Sequence, residues 1–392
     1  MKKINTKLVQ SGKHTHAPEG IDFRTINPPI YKGSTVLFDD YESYSETMLR
    51  SELHGTSYGT YGTPTQIAFE EAMAEIEGGF KTRAFISGLN AIDMTLLAFL
   101  KAGDHILVCE NVYGPGAAFC RKVLPKYQIE STFIPAAVGS SIEKYIKQNT
   151  RLILLESPGS DTFELQDIPA ITTIAKQKNI LTVLDNTWAT PLYFKSFDKG
   201  IDVSIHSVTK YISGHSDVLM GTATVTEKHY DQFHSFYETL ELFASSETCY
   251  LALRGLRTLG VRLKHHEQSA LEIANWLNEQ DQVETVLHPA LTGHPQHEIW
   301  ERDYLGSSGV FGFILKTDYS INDLGRFFNG LNVFEIGLSW GGYKSLIKAG
   351  VIKGRENVSP YNNRTVFRLS IGFEDSKDLI DDLENGFSKL IS

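Results

Sequence analysis

The sequence predicts an α/β fold, a mostly parallel sheet covered on both faces by helices, followed by a smaller α+β domain. Three observations carry this expectation. Short apolar runs alternate with helix-length stretches between residues 82 and 206, and most of the runs are continuously apolar, as strands buried on both faces require. A long helical stretch over 247–278 interrupts the alternation. Beyond it the order changes to strand, helix, strand, helix, the signature of a separate α+β unit.

Residues 1–60 show no strong periodicity and carry turn signals at Asn27-Pro28-Pro29, His54-Gly55 and Tyr58-Gly59, so an extended arm is expected there. A helix begins after Pro64-Thr65, puts Phe69, Met73 and Ile76 on one face, and stops at Gly78-Gly79. Strand 82–86 then leads to helix 89–101, strand 105–108 to a helix near 117–124, and strand 151–155 to helix 168–178. Strands 180–184 and 203–206 follow. After the long helix come strand 310–315, a helix near 324–331, strand 365–371 and a final helix over 377–390. The expected division is an arm over 1–60, a large domain over 61–250 and a C-terminal domain over 251–392.

Composition narrows the function classes. With 392 residues the chain is long enough for about two domains of ~150 residues and a sizeable core. It is 41% hydrophobic and 21% charged, ordinary globular usage that points to neither disorder nor fibre. A formal charge of -10 repels phosphate backbones, so no nucleic-acid partner is expected and an anionic ligand needs a local positive site. Met1-Lys2-Lys3-Ile4-Asn5-Thr6 has no apolar stretch behind its lysines, and no apolar run reaches the ~18 residues of a membrane span. The expectation is a soluble, cytoplasmic protein. Cys109, Cys120 and Cys249 fit no zinc spacing and read as small buried hydrophobes, with no disulfide framework and no metal.

In open α/β sheets ligands sit at the carboxyl ends of the strands, and the polar residues of this chain fall there. Asp185 closes the run Ile180-Leu181-Thr182-Val183-Leu184, and Lys210 lies just past the next strand. A carboxylate and a lysine so placed suit pyridoxal 5'-phosphate (PLP). The amine condenses with the aldehyde, and the carboxylate keeps the pyridine nitrogen protonated so that the ring accepts electrons. Ser207 and Thr209 bring hydroxyls within reach of the phosphate. Strand 82–86 ends in Ser87-Gly88-Leu89-Asn90 and opens straight into a helix, whose free amides and positive dipole end suit the same group. Tyr113, past strand 105–108, offers a ring to lay on the cofactor. Each feature alone has a plainer reading: a solvated surface lysine, turn chemistry for the glycine, a tyrosine buried with its hydroxyl bonded. Their convergence on four strand ends points to one cofactor.

These residues resemble the PLP-dependent enzymes of cysteine and methionine metabolism. The likeness runs from Thr6-Lys7-Leu8-Val9 and Asn27-Pro28-Pro29-Ile30-Tyr31 to the carboxyl terminus. Its most specific stretches are Glu156-Ser157-Pro158-Gly159-Ser160, Asp185-Asn186-Thr187-Trp188-Ala189, Thr209-Lys210-Tyr211 with Gly214-His215-Ser216-Asp217, Arg254-Gly255-Leu256-Arg257-Thr258-Leu259-Gly260-Val261-Arg262, Ser339-Trp340-Gly341-Gly342-Tyr343 and Arg368-Leu369-Ser370-Ile371-Gly372. The resemblance implies the aspartate aminotransferase-like fold of type I PLP enzymes, with a mostly parallel seven-stranded sheet.

It also implies roles. Lys210 would anchor the cofactor and act as catalytic base, Asp185 would pair with the pyridine nitrogen, and Tyr113 would stack on the ring. Gly88, Leu89, Ser207, Thr209 and Tyr58 would hold the phosphate, and Tyr113 with Tyr58 would take a proton from the incoming amine. Arg368 would clamp the substrate α-carboxylate, a bidentate task suited to a planar guanidinium, with Ser339 and Trp340 beside it. The implied reaction is β-elimination of L-cystathionine to homocysteine, pyruvate and ammonia, in methionine biosynthesis. The implied assembly is a homotetramer, a dimer of dimers in which each dimer shares its two active sites. Ser157-Pro158-Gly159-Ser160 and Ser339-Trp340-Gly341-Gly342 resemble the β-acting branch. A γ-lyase, γ-synthase or sulfhydrylase, an alanine racemase side activity and a non-catalytic regulator stay open as alternatives.

One departure stands out. The arm of the family carries Tyr-x-Arg, both residues reaching a neighbour's phosphate, whereas here the segment reads Tyr58-Gly59-Thr60-Tyr61-Gly62. A charge-assisted contact contributes about 1.5–3 kcal/mol, so cofactor affinity is expected to fall unless another group compensates. Thr60, Tyr61, Arg50 and Arg83 are the candidates.

Overall fold

A computed structural model describes residues 3–12, 25–49, 57–357 and 359–391. Seven strands, β1 (Lys81–Phe85), β2 (His105–Cys109), β3 (Glu130–Ile134), β4 (Thr150–Glu156), β5 (Leu181–Asp185), β6 (Val203–Ser207) and β7 (Gly221–Val225), form one sheet in the order β1-β7-β6-β5-β4-β2-β3. All neighbours run parallel except β7, which is antiparallel to both β1 and β6. Phe85, Cys109, Glu156, Asp185 and Ser207 therefore all leave the sheet at one edge, where Gly221 begins β7. Helices cover both faces, so β2, β5 and β7 are buried at every position.

Two strands of this sheet were not expected from the pattern. β7 reads Gly-Thr-Ala-Thr-Val, too small and polar for an apolar run, yet it is buried because Thr224 shares a 2.7 Å hydrogen bond with Thr82 on β1. β3 begins with Glu130-Ser131-Thr132 and lies at the margin of the sheet, where polar residues are tolerated.

A second sheet of five strands, β8 (Val283–Leu287), β9 (Val310–Leu315), β10 (Glu335–Ile336), β11 (Leu346–Val351) and β12 (Thr365–Ser370), has the order β10-β11-β12-β9-β8. Only β9 and β12 stand out in the sequence as apolar runs. Phe311, Phe313, Phe327, Phe367 and Phe387 fill its core. The helix Ser246–Asn278 joins the two sheets. At 33 residues it spans about 50 Å: Leu253 and Leu256 pack with Phe69 and Met73, while Ile273 and Leu277 enter the second core.

The expected helix after Pro64-Thr65 runs over Pro64–Glu77. Gln66 Oε1 accepts the Thr63 amide at 2.6 Å, and the helix stops at Gly78, whose φ of 79° lies in the left-handed region. The early residues correct the expectation of a wholly extended arm. Ile4–Gln10 is a helix that buries Leu8 against the long helix at Gly260, where an added Cβ would stand 2.7 Å from Asn5 Oδ1. Tyr41–Leu49 is a second helix, and it buries none of its residues. All three cysteines are buried and free. Among the described residues no helix is long and apolar enough to cross a membrane.

Candidate active site

The site is built where β1, β4, β5 and β6 end. Asp185, the last residue of β5, is buried, and its Oδ1 accepts the Thr187 amide at 3.0 Å and the Thr187 hydroxyl at 2.5 Å. Thr187 Oγ in turn accepts the Ser207 amide at 2.8 Å. The carboxylate is thus tied to the end of the next strand. Both donors fall on Oδ1, which leaves Oδ2 for an outside N–H. Burial raises the Asp185 pKa, and the Thr187 hydrogen bonds, His206 and Lys210 pull it back down. Opposite it across the β4–β5 ladder stands Glu156, whose buried carboxyl is pushed well up by burial and then by Asp185. Glu156 accepts the Tyr113 amide at 2.5 Å and the Ser160 hydroxyl at 2.6 Å.

Lys210 follows β6 in a turn held from two sides. Arg262, from the long helix, donates to the carbonyls of Ile212 at 3.2 Å and Gly255 at 2.8 Å. Gly255 permits the approach, since a Cβ there would meet Ser213 O at 2.3 Å. Tyr211 is buried with its hydroxyl accepting the Gly309 amide at 2.7 Å, and its ring packs 5.4 Å from that of Trp340. Lys210 Nζ donates to Ser339 Oγ at 2.8 Å and lies 5.3 Å from the centre of the Trp340 ring. Burial first, and Arg368 second, lower its pKa to about 8, against a smaller pull upward from Asp185.

Arg368 on β12 completes the group. One of its nitrogens donates to Leu338 O at 2.5 Å and Ser339 O at 3.3 Å, and the other to Asp161 Oδ1 at 3.3 Å. Ser339 therefore touches both Lys210 through its hydroxyl and Arg368 through its carbonyl.

Past the end of β1, Gly88 and Leu89 open the helix Gly88–Phe99, so no intrahelical carbonyl reaches their amides. Gly88 lies against Ser207, where a Cβ would sit 2.6 Å from that of the serine, and Gly221 lies against Ser87 O, where a Cβ would sit 2.3 Å away. Only glycine permits backbone this close at both points. The result is a cradle of backbone amides and the Ser207 hydroxyl, with Lys210 and Asp185 beyond it. Free amides, a carboxylate with one oxygen open and an amine of lowered pKa fit the phosphate, ring nitrogen and aldehyde of PLP.

The sequence-derived site residues are placed as follows. Lys210 bonds Ser339 and lies near the Trp340 ring, Arg368 bonds Ser339 from the other side, and Asp185, Ser207, Gly88 and Leu89 share the strand edge beside them. Tyr113 caps the next helix with its amide on Glu156, its side chain exposed. Thr209 turns its hydroxyl to the backbone of Met220, accepting the amide at 3.0 Å and lying 3.2 Å from the carbonyl. Tyr58 is not brought to the cluster. It forms a single antiparallel bridge with Thr35, and among the described residues its hydroxyl bonds none of the site residues. Of the groups considered for the missing arginine, Arg83 is committed elsewhere, to Glu70 at 2.9 Å and Tyr230 at 3.1 Å. Arg50 lies outside the described residues.

Four residues of the site went unassigned in the sequence: Thr187, Glu156, Asp161 and Lys348. The first two lie inside stretches that stand out as motifs. Asp161 and Lys348 lie in none, and only the fold brings them to Arg368.

Residues 5–388 match the model of the family described as Cys/Met metabolism PLP-dependent enzyme. The chain is 38% identical to cystathionine beta-lyase MetC of Escherichia coli, over 100% of its own length and 99% of the relative's. It is 38% identical to an L-alanine/L-glutamate racemase of Wolbachia pipientis wMel, over 99% and 98% of the two chains. The crystal structure of metB from Corynebacterium glutamicum superposes with a TM-score of 0.89 at 29% identity, covering 100% of this chain and 99% of the other.

Proposed function

The chain belongs to the Cys/Met metabolism PLP-dependent enzyme family, and from that premise we propose that it is a carbon–sulfur lyase that eliminates homocysteine from L-cystathionine. The observation that carries the reading is Ser339, bonded by its hydroxyl to the Lys210 amine and by its carbonyl to Arg368. It holds a base and a carboxylate clamp in one fixed relation, which α-proton removal from an amino acid requires.

When bound, the cofactor supplies an electron sink for the negative charge that develops at Cα. The chain's own residues do the rest. The amides of Gly88 and Leu89 and the Ser207 hydroxyl would hold the phosphate. Asp185, fixed through Thr187, keeps a positive charge on the ring nitrogen by offering a buried carboxylate. Tyr113, exposed beside the site, would lie against the ring and receive the proton of the incoming amine. Arg368 grips the substrate carboxylate with its planar fork. Lys210, whose amine loses its proton near pH 8, would be the base that takes the Cα proton. Expulsion of homocysteine thiolate from the β-carbon leaves a three-carbon fragment that hydrolyses to pyruvate and ammonia.

Racemisation is the second reading, favoured by the relative named an L-alanine/L-glutamate racemase. It uses the same proton removal, with the proton returned to the opposite face when the substrate has no leaving group. Steady-state assays separate these readings. Pyruvate from L-cystathionine, with D-alanine from L-alanine at a much lower rate, supports the lyase. A 2-oxobutyrate product would assign γ-elimination, and alanine racemisation faster than pyruvate release would make the racemase primary.

The arm supports an assembly of several copies with shared active sites. Ile26, Leu37, Tyr41 and Leu49 are exposed, and the helix Tyr41–Leu49 buries none of its residues. In this reading the arm of residues 1–60, beyond its first helix, which packs on its own chain, reaches a neighbour and brings Tyr58 to that subunit's phosphate, while 61–250 and 251–392 form the two domains. The assembly is a cytoplasmic homotetramer, a dimer of dimers.

A further inference from the structure

Beside the carboxylate clamp sits a charge arrangement that the lyase reaction does not use. Lys348 on β11 is the direct ladder partner of Arg368 on β12. Like charges set opposite each other in a sheet repel, and both side chains converge on one carboxylate. Asp161 Oδ1 lies 2.7 Å from Lys348 Nζ and 3.3 Å from the Arg368 guanidinium. Two cations thus share one resident anion, and the site is one negative charge short. The α-carboxylate of an amino acid supplies it.

Asp161 is held so that it can serve this purpose. It sits at φ 65°, a left-handed conformation that aspartate tolerates better than most residues. The loop around it is tied down by Gly159 N to Glu164 O at 3.0 Å and Ser160 N to Asn111 O at 2.8 Å. Arg355 adds a 2.7 Å ion pair to Glu164. The Asp161 side chain is 34% exposed, against 10% for Arg368, so the carboxylate borders solvent while its partner is packed.

We propose that Asp161 is a resident stand-in for the substrate carboxylate, and that Lys348 is the cation to which it withdraws when the substrate arrives. The pair would set how readily Arg368 accepts an amino acid, as positioning residues that touch neither the cofactor nor the reacting atoms. The inference rests on the reading of Arg368 as the carboxylate clamp. With Lys348 present, Asp161 leaves Arg368 at little cost. Without Lys348 it has, among the described residues, no cation but Arg368 to pair with and competes with the substrate.

The test uses the holoenzyme and two ligands, glycine and methylamine, the second being the same amine without the carboxylate. Their dissociation constants are read from the change in visible absorbance of the bound cofactor. Lys348→Met should weaken glycine by about threefold or more and leave methylamine unchanged, as coupled neighbours do. Asp161→Asn should tighten glycine. The double variant should match Asp161→Asn, because Lys348 acts only through Asp161. Lys348→Arg, which keeps a partner for Asp161, should restore the wild-type ratio of the two constants. If Lys348→Met weakens glycine equally in both backgrounds, Lys348 acts on the ligand directly and the proposal is overturned. It is also overturned if Asp161→Asn alone fails to tighten glycine, a result that does not depend on Lys348→Met folding. Arg368→Lys separates the two levels. A raised glycine-to-methylamine ratio there with flat results at Asp161 and Lys348 sinks this inference alone, whereas an unchanged ratio removes the clamp and the inference with it.

Discussion

Thr187 Oγ lies 2.5 Å from Asp185 Oδ1 and 2.8 Å from the Ser207 amide, so one hydroxyl joins the ends of two neighbouring strands. It gives its proton to the carboxylate and takes one from the backbone, which fixes the direction of both bonds. Thr187→Val keeps the shape and removes the hydroxyl. The Ser207 amide then loses its acceptor, at about 1–2 kcal/mol. Chemical denaturation should show that loss, and cofactor dissociation should accelerate in parallel. A variant with unchanged stability and unchanged cofactor retention would mean the relay has no structural role.

Glu156 and Asp185 face each other across the β4–β5 ladder, and burial raises both. Two buried carboxylates this close do not both ionise easily. Lys210 and His206 favour the charged form of Asp185, whereas Asp185 and Asp161 disfavour that of Glu156, so Glu156 holds the proton and Asp185 keeps the charge. Asp185→Asn should therefore cost about a hundredfold or more in kcat/KM, the scale of a lost electrostatic group, while Glu156→Gln should cost only a few-fold because a neutral group replaces a neutral one. The opposite ranking would assign the charge to Glu156.

Lys210 in the cofactor-free protein should lose its proton at about pH 8 rather than 10.5, because burial and Arg368 favour the uncharged amine. The folded pKa is the lower one, so the unfolded chain binds the extra proton between these values, and stability rises with pH across that window. A side-chain NMR titration of Lys210 gives the midpoint directly. Titration near 10.5 would show the amine to be solvated and its lowered basicity absent.

Thr60→Arg restores the arginine that the family's arm carries. If Tyr58-Gly59-Thr60 reaches a neighbour's phosphate, a charge-assisted contact of about 1.5–3 kcal/mol tightens PLP by roughly tenfold or more. Equilibrium dialysis and the rate of PLP loss on dilution measure it. Unchanged affinity and unchanged activity would mean that the arm does not reach the site and that the sites are not shared.

The legible parts of this protein are those whose signal is local. β5 is an almost continuously apolar run, so an aspartate at its end breaks the pattern, and Lys210 stands just past the next strand, Val203–Ser207. The Ser87-Gly88 turn announces its helix for the same reason. β7 escaped because Gly221-Thr222-Ala223-Thr224-Val225 has no apolar signature, and its burial depends on a threonine from β1, 142 positions away. Asp161 and Lys348 escaped because their relation to Arg368 exists only after two sheets have folded and one loop has been pinned against them. The resemblance to a family located most of the site, but it was silent on these two residues. It also placed a tyrosine, Tyr58, that within one chain stays with Thr35.

The central claim is that Lys210 anchors the cofactor. Borohydride reduction of the PLP-loaded protein, followed by proteolysis and peptide mass spectrometry, tests it most directly. The reduced cofactor adduct is expected on the peptide containing Lys210, with none on other lysines and no adduct at all in Lys210→Ala. An adduct on another lysine, or one that survives Lys210→Ala in equal amount, would contradict it.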